Sequence, residues 1–237
     1  MKSIFILLFT VIGSQVFAQE TIINDANAEV RNVTSFTGIK VSGGIDVYLS
    51  QGESYSLAVS AADKENIDNI KTEIENDVLV ITYNDRNSRR NSSNKKLRAY
   101  ISFKTLESIE GSGACNFYIN NSLNGNSILV KLSGACDITG PVKLTNLSIE
   151  LTGASTVKLN GNTQNLKLDA SGASDIKSYD LATEHCIAKL SGASDVRITV
   201  TNSITASASG ASTLFYHGDP DKRDVASSGA SSISQKN

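Results

Sequence analysis

A four-residue phrase recurs along the chain and consists of Ser or Thr, then Gly-Ala, then Cys or Ser. Successive copies are 21, 19, 19, 20, 18 and 19 residues apart. Self-similarity with a period of about 20 residues is typical of a solenoid, whose coils stack on one another and share one core. The glycines of the copies are Gly113, Gly134, Gly153, Gly172, Gly192, Gly210 and Gly229.

The residues around each glycine indicate strands. Before Gly172, for example, the apolar Leu166, Leu168 and Ala170 alternate with polar residues. Strict alternation predicts a strand with one buried face rather than a helix. After each glycine, we expect the second residue, which is small, and the fourth, which is apolar, to point inward. The third should point outward, and in chain order it is Asn116, Asp137, Thr156, Asp175, Asp195, Thr213 and Ser232.

Each coil is therefore predicted to contain a strand, a bend at the Gly-Ala pair and a second strand. Coils stacked about 4.8 Å apart would pair as parallel strands, and parallel crossovers are almost always right-handed. The sequence predicts an all-β fold, namely a single-stranded right-handed parallel β-helix with about 19–20 residues per coil.

The first 18 residues have the pattern of a secretory signal peptide, with Lys2, an apolar run over residues 4–12 and a small-residue cleavage site ending at Ala18. We therefore expect export through the Sec pathway to the periplasm, the cell surface or the extracellular space. No later apolar stretch has the length of a transmembrane segment. A formal net charge of −2 argues against nucleic acid as a partner.

The region before the regular repeats is expected to cap the first coil. It contains an eighth, degenerate copy of the phrase at Gly43-Gly44, and residues 55–60 are predicted to return as a strand after a turn. A short helix with Asp63 as its cap and a hairpin over residues 72–83 should follow. The predicted divisions are a signal peptide (1–18), an N-terminal extension (19–35) and one β-helix domain (36–237), with irregular coils over 36–105 and regular repeats over 106–233.

The three cysteines fall on predicted inward positions. Cys115 and Cys136 stand where other coils carry Ser, and Cys186 stands where they carry Ile or Leu. Buried thiols are the favoured interpretation. A disulfide between Cys115 and Cys136 is the alternative, although in-register parallel strands hold the two Cβ atoms farther apart than a relaxed disulfide prefers.

Two groups of charged residues are candidate binding sites, and no cofactor is expected. Asp175 and Asp195, on adjacent coils, form a weak candidate site for a divalent cation, although Lys177 and Arg197 can neutralise them. The second group is a basic cluster, which is either a solvated loop or a contact for an anionic glycan or lipid headgroup. Its members are Arg86, Arg89, Arg90, Lys95, Lys96 and Arg98.

The segment FTGIKVSGGIDVYLSQG, residues 36–52, is followed by repeated Ser-Gly-Ala-Ser-Asp. This combination resembles the putative auto-transporter adhesin, head GIN domain family of exported bacterial proteins, which is frequent among Bacteroidetes. The resemblance extends from Phe36 to the C-terminus. It implies a right-handed parallel β-helix and an envelope or extracellular location, and it transfers no catalytic or binding residue.

We expect a non-catalytic exported β-helix that acts as an adhesion-type binding module or a structural module of the bacterial envelope. Its partner would be a surface glycan or another envelope protein. The alternative is a polysaccharide lyase or hydrolase on a pectate-lyase-like β-helix, but the clustered carboxylates that such chemistry needs are not evident. Because the last copy of the phrase stands close to the C-terminus, uncovered strand edges also predict a homodimer through the C-terminal coil.

Overall fold

The computed structural model describes residues 25–84 and 95–236, so the predicted signal peptide lies outside the described residues. The described part contains one helix, α1 (Lys64–Asp68), and none that is long and apolar enough to cross a membrane. The strands are β1 (Glu29–Arg31), β2 (Gly38–Ser42), β3 (Asp46–Gln51), β4 (Ser56–Ser60), β5 (Ile70–Glu75), β6 (Val78–Tyr83), β7 (Arg98–Phe103), β8 (Ser108–Ser112), β9 (Asn116–Ile119), β10 (Leu123–Leu132), β11 (Asp137–Leu151), β12 (Thr156–Ala170), β13 (Asp175–Leu190), β14 (Asp195–Ala208), β15 (Thr213–His217), β16 (Lys222–Ser227) and β17 (Ser232–Gln235).

Parallel strands stack in register and form a β-solenoid of about seven turns. On the face that precedes each Gly-Ala corner, β2 pairs with β8, β8 with β10, and β10 with β11. The long strands β11 to β14 run from one corner to the next and pair with one another along most of their length. The face that follows the corner extends from β3 and β9 to β15 and β17. This arrangement confirms the predicted parallel β-helix.

The Gly-Ala corners form a continuous backbone stack. The amide of Ala154 donates to the carbonyl of Gly134 at 2.7 Å, and Ala173 donates to Gly153 in the same way. Gly153 has a φ of 85°, in the left-handed region that favours glycine. A Cβ atom added to Gly153 would lie 2.5 Å from the carbonyl oxygen of Gly134. The repeated phrase is therefore explained by the close approach of successive coils.

The inward positions form one continuous core. Apolar side chains on both sides of each corner are buried, as Leu168 and Ile176 show, in agreement with the predicted alternation. The small-residue position is buried as well, and its hydroxyl bonds to the same corner: Ser174 Oγ donates to the carbonyl of Ser171 at 2.9 Å. A buried hydroxyl that is satisfied in this way costs little on folding.

The N-terminal end of the solenoid is closed by antiparallel strands and the helix. β4 pairs with β1 and β7, and β5 pairs with β6 as the predicted hairpin. Helix α1 has Asp63 as its N-cap, since the Asp63 carboxylate accepts the amide of Asn66 at 2.9 Å. The returning strand at residues 55–60 is present as β4, but its partners are β1 and β7 rather than the strand before its turn. We call residues 25–84 and 95–103 the N-terminal cap.

Within this cap, Asp25 joins the first described residues to β7. Its Oδ2 atom accepts hydrogen bonds from Arg98 at 3.0 Å and from the Tyr100 hydroxyl at 2.9 Å. Burial raises the pKa of Asp25, but hydrogen bonds from Ser60, Tyr100, Asn27 and Arg98 outweigh burial and hold this pKa below its ordinary value. Burial, followed by the hydrogen bond to Asp25, raises the pKa of Tyr100 to about 12.

The C-terminal end is built differently. Within the described part of the chain, β16 pairs only with β14, and β17 pairs only with β15. Every residue of β16 is exposed, and Val225 is 46% exposed although its register is that of the inward face. Arg223 occupies the inward register beside Ile204 and donates to the carbonyl of Pro220 and to Gln235 Oε1. A polar network therefore covers part of the core at this end.

Candidate functional site

The predicted acidic pair lies on adjacent coils, where Asp175 and Asp195 are register partners. Lys177 forms an ion pair with Asp175, and Arg197 contacts Asp195 at 2.6 Å and Asp175 at 3.7 Å. A divalent cation would have to compete with both of these side chains. Among residues 25–84 and 95–236, no group of three or more His, Cys, Asp or Glu side chains is arranged to hold a metal ion.

The basic cluster is divided between described residues and others. Arg86, Arg89 and Arg90 lie outside the described residues. The Lys95 ammonium lies 4.8 Å from the ring centre of Tyr83, a distance typical of a cation–π contact. Lys96 is exposed. Arg98 binds Asp25, so its charge is used inside the N-terminal cap rather than presented to a ligand. Of the six basic residues, the structure therefore describes Lys95, Lys96 and Arg98.

The three cysteines are free and buried, as their inward positions predict. Burial raises the pKa of the Cys186 thiol to about 12. The interaction of Cys136 with the Cys115 thiol, followed by burial, raises the pKa of Cys136 as well. Since the thiolate is the reactive form of cysteine, these environments disfavour nucleophilic chemistry at Cys136 and Cys186.

One surface groove, with a volume of about 360 Å³, follows the outward side chains that precede the corners. Its charged residues alternate in sign for much of its length, and two ion pairs join neighbouring coils: Lys131 with Glu150 at 3.1 Å, and Lys40 with Glu110 at 4.0 Å. The charge of these residues is largely balanced within the protein. We call it the charged groove, and its charged residues are Lys40, Glu110, Lys131, Glu150 and Asp169.

A second groove, with a volume of about 380 Å³, crosses five successive coils. It begins at Gly125, ends at Thr201 and is lined mainly by hydroxyl and amide side chains. Thr163 Oγ1 bonds to the carbonyls of Thr145 and Asn165, and Thr201 Oγ1 bonds to the carbonyl of Thr183. We call it the hydroxyl groove, and the side chains important below are Lys143, Asn162, Gln164, Thr183 and Glu184.

No motif in the sequence marks the hydroxyl groove. The available signal is the coil length, because a coil of 20 residues from Gly172 to Gly192 is followed by one of 18 residues. In the structure, β13 and β14 change register between Ser178 and Ala182, beside the groove. Spacing alone shows that a coil is irregular, but it does not show which side chains the irregularity brings together.

Comparison with known proteins places the chain in a family. Residues 35–220, more than half of the chain, match the family described as "Putative auto-transporter adhesin, head GIN domain". The chain belongs to this family. The resemblance inferred from residues 36–52 and the Gly-Ala repeats is thereby confirmed. No curated protein matches the chain.

Several solved structures share the fold. A putative adhesin from Bacteroides fragilis is 21% identical, with a TM-score of 0.82 over 88% of this chain and 96% of that one. A putative adhesin from Parabacteroides distasonis is 17% identical, with a TM-score of 0.71 over 87% and 96%. A putative lipid binding protein from the same species is 20% identical, with a TM-score of 0.69 over 89% and 98%. At these identities the likeness shows the fold alone.

Proposed function

We propose that this head GIN domain protein is a non-catalytic, exported binding module of the bacterial envelope that takes part in adhesion-type contacts. The observation that carries the proposal is a surface of in-register outward ladders on a filled core, exemplified by Asp175 beside Asp195. Such a scaffold presents side chains at a constant spacing to an extended partner. The names of the family and of its structural relatives support the same role.

A surface glycan is the partner that the described surface favours over a lipid. An acyl chain would require an apolar cavity, whereas the interior of the described chain is filled by side chains. Both grooves are open and lined mainly by charged, hydroxyl and amide groups. Another envelope protein is the remaining partner class, and the core of such an interface is usually depleted of charged side chains and enriched in aromatic ones.

The proposal is tested with the purified chain lacking residues 1–18, on an array of neutral and acidic envelope oligosaccharides. Binding without release of reducing or unsaturated products is the expected result. Product release from uronic-acid polysaccharides would contradict it and support the alternative, a polysaccharide lyase or hydrolase. Fractionation of the native host should place the full chain in the periplasm, at the cell surface or in the medium; a cytoplasmic protein would contradict export.

A homodimer through the C-terminal coil is a second proposal, carried by the exposed β16 and the single partners of β16 and β17. Unpaired strand edges are a template for pairing with another chain. We expect a dimeric mass by light scattering at high concentration. Val225→Lys should return the protein to a monomer without unfolding it, because Val225 is already 46% exposed. A monomeric mass for the unmodified protein would contradict this proposal.

A further inference from the structure

The hydroxyl groove has the dimensions of a binding site for a short linear polymer. It runs along the solenoid axis from Gly125 to Thr201, over five coils, and coils about 4.8 Å apart give it a length of roughly 19 Å. Its volume of about 380 Å³ lies within the range of about 300–1,000 Å³ that is usual for ligand sites.

Four of its polar side chains are not used elsewhere in the described fold. Asn162, Gln164, Lys143 and Glu184 are exposed and make no side-chain hydrogen bond or ion pair with the residues that the structure describes. The charged groove differs in this respect, because ion pairs between its own residues already balance much of its charge. The hydroxyl groove therefore retains hydrogen-bonding capacity for a ligand.

Thr183 marks the buried side of the groove wall. This residue lines the groove and is only 1% exposed. Its Oγ1 atom has no hydrogen-bond partner within the described residues, whereas Thr163 and Thr201 on the neighbouring coils are both bonded to carbonyls. A buried hydroxyl without a partner is costly, and such a group in a folded protein calls for an explanation.

The coil is irregular beside this unpaired hydroxyl. The register of β13 and β14 changes between Ser178 and Ala182 and again between Thr183 and His185. The Thr183 side chain lies between the exposed Ala182 and Glu184 and faces the interior, and its Oγ1 atom has less than 1 Å² of accessible surface. A ligand in the groove would therefore contact the exposed Asn162 and Gln164 rather than this hydroxyl.

From these observations we infer that the hydroxyl groove binds a neutral glycan strand, lying along the solenoid axis, through the exposed amide side chains of Asn162 and Gln164. Amide and hydroxyl groups both donate and accept hydrogen bonds, as the hydroxyls of a sugar do. Lys143 and Glu184 carry opposite charges, so the groove has no net charge to favour an anionic polymer. The inference rests on the proposed binding function and adds the site and the ligand class.

A protein partner fits this groove less well. Protein interfaces are anchored by buried aromatic and aliphatic side chains. The large apolar side chains exposed in the described residues are Val30, Ile187 and Val225, and none of them lines the groove. The lining instead suits a ligand whose surface is itself rich in hydroxyl groups.

The test uses the chain lacking residues 1–18 and measures affinities for cello-, malto- and chitohexaose, with a hexamer of galacturonate as the acidic probe. Gly125→Tyr should block the groove and reduce the affinity for the neutral probe at least tenfold. A Cβ atom at Gly125 meets only Leu144 Cδ2, at 3.7 Å, so the fold should tolerate it. Gly52→Tyr is the matched control, since Gly52 is also exposed, has an open Cβ position and lies outside the groove.

Two further variants separate binding from folding. The double variant Asn162→Ala with Gln164→Ala removes the exposed amides and should weaken the binding of the neutral probe about tenfold while the melting temperature is unchanged. Thr183→Val keeps the shape of the side chain and removes only a buried hydroxyl, so it should leave the affinity unchanged while the melting temperature stays the same or rises. Glu150→Ala with Asp169→Ala, in the charged groove, should leave the affinity unchanged.

The outcomes distinguish the two proposals. Failure of every probe, neutral and acidic, would contradict glycan binding and with it the proposed function. Binding that survives Gly125→Tyr and the double variant Asn162→Ala with Gln164→Ala would contradict the hydroxyl groove alone. Binding of only the acidic probe, or its loss in the charged-groove variant, would overturn the assigned site and ligand class while leaving the proposed function in place.

Discussion

The regular coils and the N-terminal cap of this protein are stabilised by different kinds of contact. In the coils, the same backbone bond recurs at every corner, as Ala154 to Gly134 and Ala173 to Gly153 show. In the cap, each contact occurs once and depends on particular side chains, such as Asp25 with Arg98 and Tyr100. The coils are therefore sensitive to any added atom at a corner, whereas the cap is sensitive to the loss of individual polar groups.

The largest expected loss of stability comes from an alanine substitution in the glycine stack. Two glycines with similar φ values test this, Gly153 in the stack and Gly44 in the cap. Gly153→Ala should cost about 3–4 kcal/mol, because its Cβ would lie 2.5 Å from the Gly134 oxygen and left-handed backbone adds to the clash. Gly44→Ala should cost about 1 kcal/mol, since the nearest atom to its Cβ is 4.0 Å away. Denaturant titration measures both, and equal losses would contradict the role of the stack.

A smaller effect is expected inside the coils at Ser174. Ser174→Ala should cost about 1–2 kcal/mol, because it removes the buried hydrogen bond to the carbonyl of Ser171. Ser174→Cys should cost about 0.5 kcal/mol, since Cys115 and Cys136 fill the same position with their sulfurs 3.3–3.4 Å from the corresponding carbonyls. A cysteine variant that loses as much stability as the alanine variant would show that the coils are not equivalent.

In the cap, Asp25→Asn should cost about 1 kcal/mol at neutral pH, because the acceptor for Arg98 and Tyr100 loses its charge. The folded pKa of Asp25 is lowered. Its contribution is therefore complete above the unfolded pKa of about 3.9 and is lost as the pH falls through the lower folded value. The melting temperatures of the unmodified protein and of Asp25→Asn should differ at pH 7, and this difference should be smaller at pH 3. An equal difference at both pH values would contradict the prediction.

The smallest effect concerns the coil surface. Millimolar Ca²⁺ should leave the melting temperature unchanged, because Lys177 and Arg197 already neutralise Asp175 and Asp195. A calcium-dependent rise that is absent in Asp175→Asn would instead establish the weak cation site.

The difference between the two regions also explains what the sequence could predict. The inward positions of Ser174 and Ile176 follow from repetition, because every coil presents the same pattern to its neighbours. The pairing of β4 with β7 does not follow, since β7 is far away in the chain and no local pattern marks an antiparallel pair of that separation. The cap was expected, but its connections depend on contacts that occur only once.

The candidate site shows the same limit. The outward register of Asp175 and Asp195 was predictable, and so was their neutralisation by the basic residues that follow. The hydroxyl groove was not, because it depends on which side chains five successive coils, one of them irregular, bring together. Similarly, the place of Arg223 at the end of the core reflects the lack of a further coil on β16 within the described chain.

The glycine stack also determines how proteins of this architecture can change in length. Residues 153–171 start at one corner and end just before the next, and both corners make the same backbone bond. Removal or duplication of such a segment would join equivalent corners and leave the hydrogen bonds on either side intact. The coil, rather than the single residue, is thus the natural unit in which the molecule can be lengthened or shortened, and engineered variants could adjust the reach of its grooves one coil at a time.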